Sequence, residues 1–566
     1  MRSVPLGSRR LVCTTIFLTV TRLSVAADLL PADQSPQAVI DYYVSAKIAA
    51  AGVTAAAAAD DATFLRRLTL DLAGRIPTPR ELEEFTQSTR PTKREEWIDR
   101  FVNSHWYVRQ MASVLNGILR GSGNDGPDLQ DYLLVAVRER RGWNQMFCEM
   151  LGVASADLKP ERFVQGRVND LDLLTRDVSS IFFGINISCS QCHVHPYIES
   201  LTQDHFFGMR AFFSRSYAFE DRLFERQFSN SRVKFTTSGG ENREVGLMFL
   251  TGLNVDTPAQ TVEDLPKAIA DEQKTLDDLK KRNEENKKKT EKSAIEYPLN
   301  AEFSYRAQLV EVALKTENQH ILAKSLVNRL WHRLFGYGLV MRIDQMHDEN
   351  HASHPQLLDW LARDLMDNKF DFHRIVRGIV SSQTYARSSH PLTADRPSRE
   401  LFAVANLRPL TPRQYGMSIL IAGDDSFDED GQSLTVQDEK IAVLEGHANQ
   451  LFGDLIEQPY DDMQVNAIEA LRISNDPERL NAIGEKLSSK LQGAESRPKQ
   501  IEMAFLNILS RLPTKEESTR VDEFLAEYER SSADKKDDDS KPQVKHSAWQ
   551  QVLWALTTSP EFRFNH

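Results

Sequence analysis

Apolar residues recur at the three-and-four spacing of an α-helix over most of this chain, and only short polar turns interrupt them. Between Ala62 and Leu72, Phe64, Leu65, Leu68 and Leu72 fall on one stripe, and Gly74 ends the segment. Residues 36–220 read throughout as such helices, and the pattern resumes after Pro298 and runs to the end of the chain. Stripes of this kind must be buried against one another, so the chain is expected to be mainly α. With 566 residues, 41% of them hydrophobic and 27% charged, there is apolar material for more than one packed unit, and a disordered chain is excluded.

Two stretches depart from the helical texture. Val233-Lys234-Phe235-Thr236 and Glu244 to Leu250 flank Ser238-Gly239-Gly240, which predicts a β-hairpin within 221–257. The next stretch, 258–297, is dense in Lys, Glu and Asp with sparse Ile269, Leu276 and Leu279, and reads as an exposed charged helix or a linker. The expected architecture is therefore two helical domains, 36–220 and 298–566, with a small β insertion and an exposed charged helix between them. Acidic residues near Asp424 to Gly431 and the low-complexity Ser531 to Lys541 interrupt the second domain.

The two ends of the chain echo each other. Arg75-Ile76-Pro77-Thr78-Pro79-Arg80-Glu81 is similar to Arg511-Leu512-Pro513-Thr514-Lys515-Glu516-Glu517, and each follows an apolar helix. Both predict a tight turn into a new helix capped by Thr. Further on, Asn103-Ser104-His105-Trp106-Tyr107 and Thr558-Ser559-Pro560-Glu561-Phe562 again follow amphipathic helices.

Residues 1–26 read as a signal peptide: three arginines and no acid in the first ten residues, the apolar run Leu11 to Val20, and small residues at Ser24-Val25-Ala26. The chain is thus expected to be exported, to the periplasm or the extracellular space. The apolar run is too short to span about 30 Å of hydrocarbon, and no later stretch approaches twenty uninterrupted apolar residues, so no transmembrane segment is expected in the mature chain. Formal net charge is −12, and loss of Arg2, Arg9, Arg10 and Arg22 takes it to −16, which argues against nucleic acid as a partner. Cys13 leaves with the leader, and Cys148 in its apolar stretch reads as a small core residue.

The constellation that carries chemistry is Cys189-Ser190-Gln191-Cys192-His193, the attachment signature of c-type haem. Two thiols add across the two vinyl groups of one porphyrin, and the next residue presents an imidazole to the iron. Attachment happens after export, where the leader would take the chain. Ile181 to Ile185, Phe206, Phe207, Phe212 and Phe213 offer apolar surface nearby, and His205 and Met209 are the nearby candidates for a second, distal ligand. His195, two residues beyond His193, opens a rival reading: Cys189, Cys192, His195 and a further donor such as His205 or Asp204 could form a zinc site. A dithiol that cycles to a disulfide, or an inert Cys189–Cys192 bridge, is the remaining alternative.

His347, His351 and His354 have a spacing that could bring two imidazoles to one helix face, but Pro355 predicts instead that a helix starts there with Ser353 or His354 as its cap. No Walker, Rossmann or G-x-S-x-G pattern occurs, so the residues nominate no nucleophile and leave open whether the protein is an enzyme. The leading expectation is an exported redox or electron-transfer protein with haem c, whose partner is a cytochrome or other redox protein. The alternative is a structural or binding protein with a zinc site or disulfide.

Residues 38–215 resemble the planctomycete cytochrome-c-associated domain of unknown function 1549, through Phe64-Leu65-Arg66-Arg67-Leu68-Thr69-Leu70-Asp71-Leu72, Ile76-Pro77-Thr78-Pro79, and Phe183-Gly184-Ile185-Asn186 running into Cys189 to Tyr197. Residues 300–566 are similar to its usual companion, domain of unknown function 1553, through Leu326-Val327-Asn328-Arg329-Leu330-Trp331, Phe335 to Val340, Ser353 to Ala362, and the closing Leu553 to Leu556 with Ser559 to Phe562. The resemblance implies export, an electron-transfer setting and a functional Cys189 to Pro196 string, and it supplies no substrate. Val194 stands where the family commonly has an acidic or amide residue between the two histidines, which removes a donor from a metal site but leaves the haem signature whole.

Overall fold

The computed structural model describes residues 29–121, 126–230, 232–260, 262–289, 295–347, 349–422, 434–452, 487–533 and 547–566. The expected leader with Cys13, the acidic Asp424 to Gly431, and the low-complexity run beyond Ala533 lie outside these residues. The described chain is mainly α, with β structure confined to two-stranded antiparallel pairs. Among the described residues no helix is long and apolar enough to cross a membrane.

The striped segments fold as their caps dictate. Asp60 accepts the Thr63 amide at 2.9 Å to start the helix Asp61–Leu72, and Gly74 follows it with φ +71°. Thr78 and Glu81 form a reciprocal capping box on the helix Pro79–Gln87, and Ser104 caps His105–Arg120. His354 is the N-cap residue of Pro355–Asp367, with Pro355 at its first position.

The β insertion is larger than the expected hairpin. Val233–Thr236 pairs with Asn242–Val245, Val233 opposite Val245, around the Gly239-Gly240 turn. Two further pairs flank it, Ser216–Phe219 with Arg222–Glu225 and Leu247–Met248 with Asn254–Val255, so β structure begins ahead of residue 221. The charged stretch is a helix, Leu265–Lys289, but it is not exposed all round. Leu276 and Leu279 are buried against Phe219 and Phe224, forming a small separate core with the first hairpin.

The cores do not divide the chain near residue 298. Helices Tyr305–Ala313, Gln319–Phe335, Pro355–Asp367 and Phe372–Val380 share one core with the helices of the first 220 residues; Trp143, Phe182, Trp331 and Trp360 are buried within it. A second core gathers Tyr415, Ile441, Leu491, Phe505, Leu553 and Phe562 with Leu70 and Ile76. The helix Asp61–Leu72 stands between the two and sends charged groups into the junction. Arg66 donates to the Ile508 carbonyl at 2.9 Å, and Arg67 donates to the carbonyls of Tyr385 and Arg387. The Asp71 carboxylate accepts two bonds from Arg408, both 2.7 Å, one from the Tyr385 hydroxyl at 2.7 Å, and one from the Asn565 amide at 3.1 Å. All four charged residues are nearly or wholly inaccessible or paired, as burial demands.

Candidate functional site

The helix Leu171–Phe183 ends at Gly184, whose φ of +68° carries the chain away from the helix axis. A side chain is excluded here twice over, by that backbone conformation and by the Met346 sulfur, which would lie 2.7 Å from a Cβ. Ile185 then bridges to Gln345, and the Asn186 amide donates to the Asp344 carbonyl at 2.7 Å. The Asn186 side-chain oxygen accepts from the Ser188 amide and hydroxyl at 3.1 and 2.6 Å, which sets up the 3-10 turn Ser188–Gln191.

That turn sorts its residues. Ser190 points inward, fully buried, and donates to the Leu201 carbonyl at 3.2 Å. Gln191 donates to Asp172 at 2.9 Å, and Arg210 donates to the same carboxylate at 2.6 Å. Cys189 and Cys192 are left on the outside, both exposed and both free thiols. The amides of Cys192 and His193 both donate to the Cys189 carbonyl at 3.2 Å, so the three motif residues ride on one hydrogen-bonded turn.

The histidines are distinguished by what their ring nitrogens meet. His193 is exposed, with Nδ1 2.6 Å from the Val194 carbonyl oxygen. A carbonyl only accepts, so Nδ1 carries the proton and the Nε2 lone pair is left for another use. His195 is 3% exposed and has no such freedom. Its Nδ1 accepts the Tyr197 amide at 3.3 Å, and its Nε2, 3.1 Å from the Asn186 carbonyl, must be the donor there. Burial, partly offset by that carbonyl, keeps His195 below the usual imidazole pKa. His195 is thus a clasp that closes the loop from Asn186 to Tyr197, and its own amide adds a 2.9 Å bond to Leu201.

His205 sits in the first turn of Gln203–Ala211, where Nδ1 accepts from the Thr202 amide at 3.2 Å as part of a capping box. Burial lowers its pKa as well. Met209 is fully buried in the main core with Phe206, Phe212 and Phe213, which are packing residues here. Asp204 pairs with Arg243 at 2.9 Å. The set Cys189, Cys192, His195 and His205 or Asp204 is not gathered at one point: among the described residues no group of three or more His, Cys, Asp and Glu side chains is placed to hold a metal ion. The physical reason is that both imidazoles spend their acceptor nitrogen on backbone amides. Cys148 is half-buried, and burial raises its thiol pKa.

Two cavities, of about 680 and 520 Å³, are lined by residues of other loops, among them Asp99, Arg140, Lys369 and Arg377 for the first and Glu139 and Asp157 for the second. Neither draws a residue from the motif turn, whose thiols and imidazole face outward.

Residues 39–218 match the family model described as protein of unknown function DUF1549, and residues 305–451 match that of protein of unknown function DUF1553. The chain belongs to this two-domain family. No curated protein and no solved structure matches it. The DUF1553 match ends at residue 451, short of the closing Leu553 to Phe562 strings on which the resemblance also drew.

The DUF1553 unit takes part in the site. Its segment Asp344–His347 is the strand-like partner of Gly184–Asn186: besides the Asn186–Asp344 contact, the Met346 amide donates to the Gly184 carbonyl at 2.9 Å. His347 comes to 6.3 Å from His195, ring centre to ring centre, edge to face. This neighbour was missed in the sequence, where the His347 group stands far along the chain from the cysteines and was read only as a group of its own. His354 faces elsewhere, buried against Phe402 with a ring separation of 5.6 Å, and burial pushes its pKa down to about 3.

Proposed function

We propose that this protein is an exported redox or electron-transfer protein, periplasmic or extracellular, with covalent c-type haem on Cys189 and Cys192, His193 as axial ligand, and a cytochrome or other redox protein as partner. The observation that carries the reading is the state of His193. Its Nδ1–H is held by the Val194 carbonyl, the usual way a protein fixes the tautomer of a metal-binding imidazole, and its exposed Nε2 lone pair lies on the same turn as two exposed free thiols. The donor chemistry therefore fits the group that the sequence signature names. A haem bound there would supply a one-electron couple at the protein surface.

The chain's own residues do the rest. Asn186, Ser190, His195 and Gln191 fix the turn from the inside, so the cysteines and His193 are presented together without being part of the core. The DUF1553 segment braces the turn through Asp344 and Met346, which gives the second unit a reason to accompany the first.

The test is production of the full chain in a host that carries haem-attachment machinery. The purified protein is expected to hold haem that stays with the polypeptide through denaturation, and the double variant Cys189→Ala, Cys192→Ala to lose it. His193→Ala is expected to keep the covalent bond and change the visible spectrum. Two titratable thiols at these positions with no iron and no Soret band would overturn the reading in favour of a dithiol, and zinc without iron in favour of a structural site.

A further inference from the structure

We infer that the cavity of about 680 Å³ binds a small monocarboxylate, whose oxygens accept from His373 Nε2 and sit at the N-terminus of the helix Pro36–Ala50. This does not rest on the haem reading, since no residue of the motif turn lines the cavity. The walls come from both family units: Asp99, Asn103 and Arg140 lie in the DUF1549 match, and Asp367 to Gly378 in the DUF1553 match.

The wall holds a buried donor that no acceptor meets. His373 lines the cavity and is 2% exposed. Its Nδ1 lies 2.8 Å from the hydroxyl of Tyr107, a residue of the main core that takes no part in the cavity wall. Burial, with the Arg140 charge second, pushes the His373 pKa down to about 3, so the ring is neutral and carries one proton. The Tyr107 hydroxyl has no other acceptor among the described residues and donates to Nδ1, which leaves that proton on Nε2. Nε2 is on the far side of the ring from Nδ1, turned away from Tyr107, and is buried without a partner among the described residues. A buried N–H left unmet is costly, and the cavity is the side from which an acceptor can come.

The charges around this donor favour an anion of one charge. Ser35, Pro36 and Gln37 bring the start of a 15-residue helix into the wall, where Ser35 supplies no side-chain cap and the first turn has no acid, so its positive pole is unanswered. Of the cations in the wall, Arg377 is taken by Asp99 at 2.7 and 3.1 Å, and Arg374 by Asp364. Arg140 donates only to the Asn103 side-chain oxygen, at 2.9 Å, and Lys369 has no ion-pair partner among the described residues. Against them stand two carboxylates: Asp371, which accepts the His373 amide at 3.0 Å, and the exposed Asp367. These repel a second negative charge, so the wall suits a carboxylate better than a dianion.

The experiment follows the melting temperature of the full chain as acetate is added, at mildly alkaline pH and constant ionic strength. Acetamide serves as the uncharged probe of the same shape, and inorganic phosphate as the dianion. Acetate is expected to raise the melting temperature and saturate, acetamide to leave it unchanged, and phosphate to act more weakly than acetate. His373→Phe, which removes the donor, is expected to weaken the response to acetate about tenfold. Ser35→Asp puts a carboxylate of the chain's own at the helix N-terminus; an aspartate is a preferred N-cap, so this variant is expected to fold and to lose the acetate response. No saturable response in the wild type would overturn the inference, leaving Nε2 to water alone. So would a response that persists undiminished in a folded His373→Phe or in Ser35→Asp, which would put the anion elsewhere. Equal responses to acetate and acetamide would overturn the requirement for charge, and a stronger response to phosphate would overturn the choice of a monocarboxylate.

Discussion

The turns Arg75–Glu81 and Arg511–Glu517 follow one plan in two different surroundings. In each, the arginine donates to the carbonyl of the next residue, at 2.9 and 3.0 Å, and forms a two-pronged pair with the glutamate six positions on. The glutamate accepts from the threonine amide, at 2.9 and 2.7 Å, and the threonine hydroxyl accepts from the glutamate amide, at 3.2 Å in both. Later in each unit a serine caps a helix, and the residue two positions beyond it meets the arginine. In the first unit that residue is Trp106, with the guanidinium 4.5 Å from its ring; in the second it is Glu561, bonded at 2.6 and 2.7 Å. The residue before the arginine is left-handed in both, Gly74 at +71° and Ser510 at +59°. What differs is burial. The side chains of Arg75 and Glu81 are 3% and 10% exposed, those of Arg511 and Glu517 31% and 34%. The buried copy covers its cation with an aromatic face, and the exposed copy uses a second carboxylate in the same place. Local sequence therefore sets the turn, and the neighbours decide what the turn is worth.

Substitutions made in parallel in the two turns break the comparison apart. Glu81→Gln is expected to be the most damaging, by about 3–5 kcal/mol in urea or thermal unfolding of the full chain, because it strands a buried guanidinium. A loss no greater than that of Glu517→Gln would mean that burial does not separate the two turns. Gly74→Ala comes next, at about 1–3 kcal/mol, since a Cβ would meet Gln110 Oε1 at 2.3 Å and φ is left-handed. Glu517→Gln is expected to cost about 1 kcal/mol or less at neutral pH, the pair being half-exposed. Its pH dependence has a definite sign. The hydrogen bond from Arg511 holds the Glu517 carboxyl down at about 2, so its contribution is present above the ordinary carboxylate range and is lost as pH falls toward 2. The gap in melting temperature between wild type and Glu517→Gln should close over that window, and a gap that stays constant would remove the ion pair as its cause. Ser510→Gly should have the smallest effect, within about 0.5 kcal/mol: relief of the left-handed backbone is set against loss of the Arg66 bond to its hydroxyl at 3.2 Å and greater freedom in the unfolded chain.

Much of the fold was legible. The stripe Phe64, Leu65, Leu68, Leu72, the caps Thr78 and His354, and the hairpin around Gly239-Gly240 depend on residues within a few positions of one another, and each is found. The covered face of Leu265–Lys289 was not, because Phe219 and Phe224 lie some fifty residues upstream and nothing in the charged run names them. The same limit applied to the site. Cys189, Cys192 and His193 could be read directly as a motif. That His195 is a clasp, His205 a cap and Met209 a core residue depends on the Asn186 carbonyl, the amides of Tyr197 and Thr202, and the packing of three phenylalanines.

By itself the sequence determined the helical class, the turn plan used at both ends and the identity of the thiol–imidazole motif, because these are properties of short stretches with fixed backbone geometry. Only the tertiary structure decided that Arg66, Arg67 and Asp71, charged residues in a striped helix, lie at the junction of two cores with partners more than three hundred positions away. It likewise decided which imidazole near the cysteines keeps an available lone pair. Burial and hydrogen-bond saturation are set by whatever the chain brings alongside a residue, and a list of neighbours in sequence does not contain that information.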